Sequence, residues 1–149
     1  MRPRELKATA VDGNFRLEVE DSGGHSWVLD EPVDKGGTDT GTTPVEAFLG
    51  ALVGCLITAF QFHARRKNVP IQKIEGWVAS NESGYLNQIA VDLQVWSPAP
   101  EEQVRELLPR AERGCFVKAV LRPDLPYSVD LAVYPAEEAA GEPVTLGAH

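Results

Sequence analysis

The stretch Gly41–Phe60, GTTPVEAFLGALVGCLITAF, decides how the rest of the chain reads. Thr43 is placed to cap a helix and Pro44 suits the first helical position. Glu46 stands where a capping-box carboxylate belongs. Apolar residues continue to Phe60, and the pattern predicts a helix to about Lys67, where Asn68-Val69-Pro70 stops it. That is roughly 24 residues, or about 36 Å at the usual rise. Phe48, Leu49, Leu52, Val53, Leu56, Ile57 and Phe60 spread over more than one face. A helix that is apolar all round must be covered all round. In a chain of 149 residues the missing cover points to a second copy, a homodimer with this helix near its centre. Cys55 stands in the middle of the apolar run. Taken alone, it reads as a small core hydrophobe with an inert thiol.

Strand chemistry flanks the helix on both sides. Residues 6–32 alternate as LKATAV, FRLEVE and HSWVLDEP, separated by DGN and DSGG, which is turn chemistry and predicts a three-strand meander. A loop rich in Gly, Asp and Thr, residues 34–42, leads into the helix. After it, IEGWVAS and LNQIAVDLQVW alternate with period two across a turn at NESGY. PEEQVRELLPRAERG reads as an acidic-start helix interrupted or kinked by Pro109, CFVKAVL as a short helical piece opened by Cys115, and YSVDLAVY as a last strand. The segment after Pro135 is small, acidic and unpatterned, a loose tail. The class is α+β, one domain over residues 1–149 with a core at about 6–134.

Composition excludes several partners. The formal net charge is −8, and the basic cluster Arg65, Arg66 and Lys67 falls at a helix C-terminus, where cations complement the dipole. There is no basic stripe to neutralise phosphates, so no nucleic acid is expected. The apolar run is broken by Gly and Thr and is marginal for a membrane span, and MRPRELKATA carries no apolar signal segment. No membrane partner and a cytoplasmic location are the expectation. Two cysteines sixty positions apart make no CxxC and no zinc pattern with His25, His63 or His149, so neither metal nor cofactor is expected. A helix start favours a thiolate at Cys115 through its free N–H groups and dipole, but a helix-start cysteine with no function is an equal alternative.

The Gly-rich loop before TPVEAFLGALVGC, the IEGWVAS strand and ERGCFVKAVL together resemble the OsmC/Ohr family, thiol-dependent proteins of hydroperoxide defence. The resemblance covers about residues 6–134. It implies an OsmC-like fold, an intertwined homodimer whose sheets wrap around two long central helices. It also implies that Cys55 is a peroxidatic cysteine and Cys115 a resolving one. Cys55 would attack an organic hydroperoxide and become a sulfenic acid, and Cys115 would close a disulfide. A small dithiol or lipoyl-type reductant would reopen it. No metal, haem or flavin is implied.

In the peroxidase branch an Arg from the first strands and a Glu at the helix start support the thiolate and the departing oxygen. The guanidinium suits this because it keeps its charge when partly buried. The candidates here are Arg16 and Glu46. This chain departs from the pattern: Val45 separates Glu46 from Pro44, and Phe116 follows Cys115 where many members have Pro. Glu46 lies nine residues before Cys55. On a straight helix that is about 180° away, which favours a capping role. His63 is eight residues beyond Cys55, about 80° round, and reads as a polar-face residue. Trp27, Trp77 and Trp96 read as core or sheet-face packing. Two readings compete beside a purely structural one: a cysteine peroxidase in oxidative-stress defence, and an OsmC-like dimeric binding module for a small apolar or thiol-reactive ligand.

Overall fold

The structure, a computed structural model, describes residues 3–81 and 85–137. It falls into two compact units, Met1–Ala51 and Leu52–His149. One helix, α1 (Pro44–Arg66), begins in the first and continues through the second.

The first unit holds the expected meander: β1 (Leu6–Ala10), β2 (Leu17–Asp21) and β3 (Ser26–Leu29), in that order and antiparallel. At the first turn Asp12 and Gly13 take φ of 58° and 70°, and the Asn14 N–H bonds the Val11 carbonyl at 3.2 Å. That is a primed turn, the type whose twist suits a hairpin. The sheet buries little. β1 is exposed along its whole length, and Val19 is the one buried residue of the three strands.

At the start of α1 the Thr43 hydroxyl accepts the Glu46 N–H at 3.2 Å, as the capping pattern predicts. The Glu46 carboxylate, however, takes the Thr42 hydroxyl at 3.1 Å rather than closing the reciprocal bond to Thr43. The helix ends in a left-handed cap. Asn68 has φ 55°, its N–H bonds the Arg65 carbonyl at 3.2 Å, and the Val69 N–H bonds the Ala64 carbonyl at 2.9 Å.

The second unit is built on the order β4 (Lys73–Ser80), β5 (Ile89–Ser97) and β6 (Tyr127–Pro135). β4 and β5 are antiparallel, as expected for a hairpin, although residues 82–84 of its turn lie outside the described residues. β6 pairs parallel to β5, which a crossover makes possible. That crossover holds α2 (Glu101–Arg105) and α3 (Leu107–Gly114). The helix breaks at Glu106, three residues before Pro109, whose ring excludes the carbonyl four residues earlier. Ile89, Val91, Leu93 and Val95 face inward with Leu52, Leu56 and Phe60 of α1 and with Val104, Leu107 and Ala111 of the crossover. The expected loose tail lies outside the described residues from position 138.

Gly76 sets the distance between α1 and the sheet. A Cβ there would lie 2.7 Å from Val53 Cγ2 and 3.1 Å from both Ile57 Cδ1 and Leu93 Cδ2. Gly76→Val should therefore destabilise the fold by about 1–3 kcal/mol, the usual cost of overpacking, read as a lower urea midpoint at unchanged slope. A wild-type midpoint would show that the helix can lift off the sheet freely.

Candidate functional site

Both cysteines belong to the second unit. Cys55 projects from α1 and is partly exposed, whereas Cys115 is buried at 2%. Both are free thiols, and Cys55 is among the groups that act on the Cys115 thiol. Cys115 does not open an α-helix. It is the extended C-cap of α3, with φ −82° and ψ 103°, and a short 3₁₀ turn follows only at Lys118–Val120. The Ala119 N–H bonds the Cys115 carbonyl at 3.2 Å and closes the turn there. Burial pushes the Cys115 thiol up and contact with Cys55 adds to the rise, while the Lys118 and Val117 amides oppose it.

Three further groups belong to this site and carry no signal in the sequence. Tyr127 opens β6 in register with the buried Ile89, so its ring lies on the core face. Its hydroxyl oxygen is buried with no hydrogen-bond partner. Burial, followed by the electrostatic influence of Cys115, Glu112 and Cys55, pushes the phenol up to about 12. The Lys118 ammonium lies 5.7 Å from the centre of the Tyr127 ring. His63 is half-buried rather than solvated: its Nε2 is 3.4 Å from where a Cβ on Gly114, the neighbour of Cys115, would stand. Only the chain crossover brings these groups together.

Arg16 and Glu46 belong to the first unit. Glu46 is engaged by Thr42 and Thr43 at the helix start. Arg16, exposed and just ahead of β2, donates from Nε to the Thr40 hydroxyl at 3.2 Å. Thr40 is anchored in turn on Asp30, which is fully buried and organises the loop. The Asp30 carboxylate accepts the Thr40 hydroxyl at 2.8 Å, the Thr40 N–H at 3.1 Å, the Thr38 hydroxyl at 2.5 Å and the Glu31 N–H at 2.8 Å. Asp30 is thus a residue that sequence reading missed, and the loop composition DKGGTDTGT was its available signal. These donors, led by the Thr38 hydroxyl, hold the carboxyl well below the ordinary value near 3.8. A carboxyl lowered on folding stabilises fully above its unfolded value and loses that contribution as pH falls below it. Asp30→Asn should lower the melting temperature by several degrees at neutral pH and remove part of the acid sensitivity that begins below about pH 4. Thermal melts from about pH 7 to about pH 2 would read both effects.

Comparison with known proteins places this arrangement. The family model described as OsmC-like protein matches residues 37–130. The chain belongs to the OsmC family. The expected α+β, OsmC-like fold is therefore the fold of this protein, and solved structures agree. The OsmC-like protein of Mycoplasma pneumoniae superposes with a TM-score of 0.74 at 19% identity, covering 91% of this chain and 99% of that one. The organic hydroperoxide resistance protein OhrB of Bacillus subtilis gives a TM-score of 0.63 at 22% identity, covering 88% and 98%. The organic hydroperoxide resistance protein OsmC of Legionella pneumophila gives 0.64 at 18% identity, covering 89% and 97%. No curated protein matches the chain by sequence.

Proposed function

We propose that this OsmC-family protein is a thiol-dependent peroxidase that reduces organic hydroperoxides in oxidative-stress defence and works as a cytoplasmic homodimer. The observation that carries the reading is the pair of free cysteines in one unit, Cys55 partly exposed and Cys115 buried, with Cys55 acting on the Cys115 thiol. The accessible sulfur meets the substrate. Its thiolate attacks the O–O bond, forming a sulfur–oxygen bond, and the departing alkoxide takes a proton and leaves as an alcohol. Cys55 is then a sulfenic acid. The Cys115 sulfur attacks Cys55, the S–O bond breaks, and hydroxide leaves as water with the Cys115 proton. A small dithiol reduces the disulfide by exchange and is itself oxidised to a disulfide. Arg16 remains the guanidinium of the first unit, oriented through Thr40 and Asp30. Glu46 is proposed to act on the helix start alone.

Support for the dimer comes from α1. It is long and apolar enough by composition to cross a membrane, with an 18-residue window of mean hydropathy 1.8, yet only 22% of that window is buried within the chain. Its exposed side carries Gly50, Ala51, Gly54 and Thr58, and a Cβ on Gly50 or Gly54 would meet nothing within 4 Å. Small residues at this spacing let two helices approach closely. The thinly covered sheet of the first unit adds apolar surface for a second copy to bury. Gly54→Leu has room within the chain itself, so it should leave a folded protomer but convert dimer to monomer, read by light scattering after size exclusion. A dimer that survives the substitution would place the interface elsewhere.

The function is tested by intact mass of the reduced protein after about one equivalent of an organic hydroperoxide, the stoichiometry of one disulfide per turnover. Wild type should lose two hydrogens. Cys55→Ser should stay unchanged, and Cys115→Ser should gain one oxygen and then go on to higher oxides. An unchanged wild-type mass would sink the peroxidase reading and leave the family fold as a binding module for a small apolar or thiol-reactive ligand.

A further inference from the structure

Lysine seldom leaves water without a charged partner, yet Lys118 is half-buried and no carboxylate among the described residues pairs with it. It opens the 3₁₀ turn Lys118–Val120, and its ammonium stands 5.7 Å from the centre of the Tyr127 ring. That is close to the outer limit of a cation–π contact, about 6 Å, so the ring only partly answers the charge. Four residues on, Arg122 has a poor partner of its own. Its Nε is 3.6 Å from an Asp124 carboxylate oxygen, where a good charge-assisted bond runs at about 2.7–2.9 Å, and both side chains are exposed. The two cations line one cavity of about 230 Å³ together with Leu121, Pro123, Leu125 and Tyr127. Among the described residues no carboxylate lines it, in a chain whose net charge is −8. Its remaining walls are apolar. Leu125 is buried, Leu121 is half-buried, and the Tyr127 hydroxyl oxygen is shielded from water, so that residue offers the cavity no accessible oxygen. Neither cysteine lines the cavity, which sets it apart from the thiol chemistry proposed above.

We propose that this cavity is a binding site for a small organic carboxylate, whose charged head meets Arg122 and Lys118 and whose apolar body lies against Leu121, Pro123, Leu125 and the Tyr127 ring. Apolar walls with a few convergent polar groups are the usual make-up of a small-molecule site. Here the walls select a hydrocarbon body and the two under-satisfied cations select a full negative charge. The Arg122 guanidinium can take both carboxylate oxygens at once, whereas Lys118 acts as a point charge. Inorganic phosphate would answer the cations and leave the walls uncovered. A neutral alcohol would cover the walls and leave the cations as they are. The volume is below the roughly 300 Å³ at which drug-sized pockets begin, so the ligand has only a few carbons. To receive it, Arg122 gives up no more than its long, exposed contact with Asp124, which is worth little in water.

The test follows backbone and arginine side-chain N–H shifts of the full-length, reduced protein while hexanoate, hexanol and inorganic phosphate are added separately. Hexanoate should produce saturable shifts centred on residues 118–127, with a Kd of about 1 mM for so small a ligand. Hexanol and phosphate should each bind at least about tenfold more weakly, since each meets only half of the site. Arg122→Gln and Lys118→Met should each weaken hexanoate about tenfold, the loss expected when one charged hydrogen bond goes. Both substitutions keep an apolar stem, so the fold should be retained, and unchanged shifts elsewhere in the spectrum check that. Arg113→Gln removes an exposed cation that does not line the cavity and should leave the affinity unchanged. The absence of saturable shifts overturns the proposal. So does hexanol or phosphate binding as tightly as hexanoate, or a loss on Arg113→Gln as large as that on Arg122→Gln. No peroxide enters the measurement, so failure here leaves the peroxidase reading standing, and failure of that reading leaves this one intact.

Discussion

The close approach of α1 to β4 at Gly76 is the constraint on which the second unit depends. The helix can pass over the sheet there only because nothing projects from the strand, and Val53, Ile57 and Leu93 fill the space that a side chain would need. Cys55 lies on the same helix, two residues from Val53 and two from Ile57. The parallel pairing of β6 with β5 then sets the register of the last strand. Tyr127 enters opposite Ile89, and the crossover that precedes β6 carries the buried Cys115.

Electrostatically, the site separates two problems. Cys115 is taken out of water, which penalises its thiolate, and the turn at Val117 and Lys118 supplies fixed dipoles against that penalty. Cys55 keeps partial access to solvent, as a sulfur that meets substrate and reductant must. The first unit solves its own problem in a different way. A buried carboxylate, Asp30, gathers the hydroxyls and amides of Thr38 and Thr40, and through Thr40 it fixes the direction of the Arg16 guanidinium. A charge at the surface is thus held by an opposite charge in the interior, with one threonine hydroxyl between them.

Much of the local structure was legible before folding. The Asp12-Gly13 turn, the Thr43 cap and the Asn68-Val69-Pro70 stop each depend on a few neighbouring residues, and all three appear where the residues require them. The helical start expected at Cys115 was not found, because the chain is extended at Cys115 and turns only at the 3₁₀ segment Lys118–Val120. His63 read as a solvated residue because α1 alone offers it no neighbour, and the neighbour comes from Gly114, fifty-one positions away.

By itself, the sequence determined the class of the fold, the extent of α1, its excess of apolar surface, and the two cysteines as the groups worth watching. Periodicity, caps and turns act over a few residues, so they can be read from the chain. Tertiary structure alone decided that Cys115 is buried while Cys55 stays partly exposed, that the Tyr127 hydroxyl is buried without a partner, and that Asp30 organises the loop holding Arg16. Those contacts depend on the crossover, on strand register and on buried hydrogen bonds between residues far apart in sequence. Such interactions leave no local pattern, because what selects them is the packing of the whole unit.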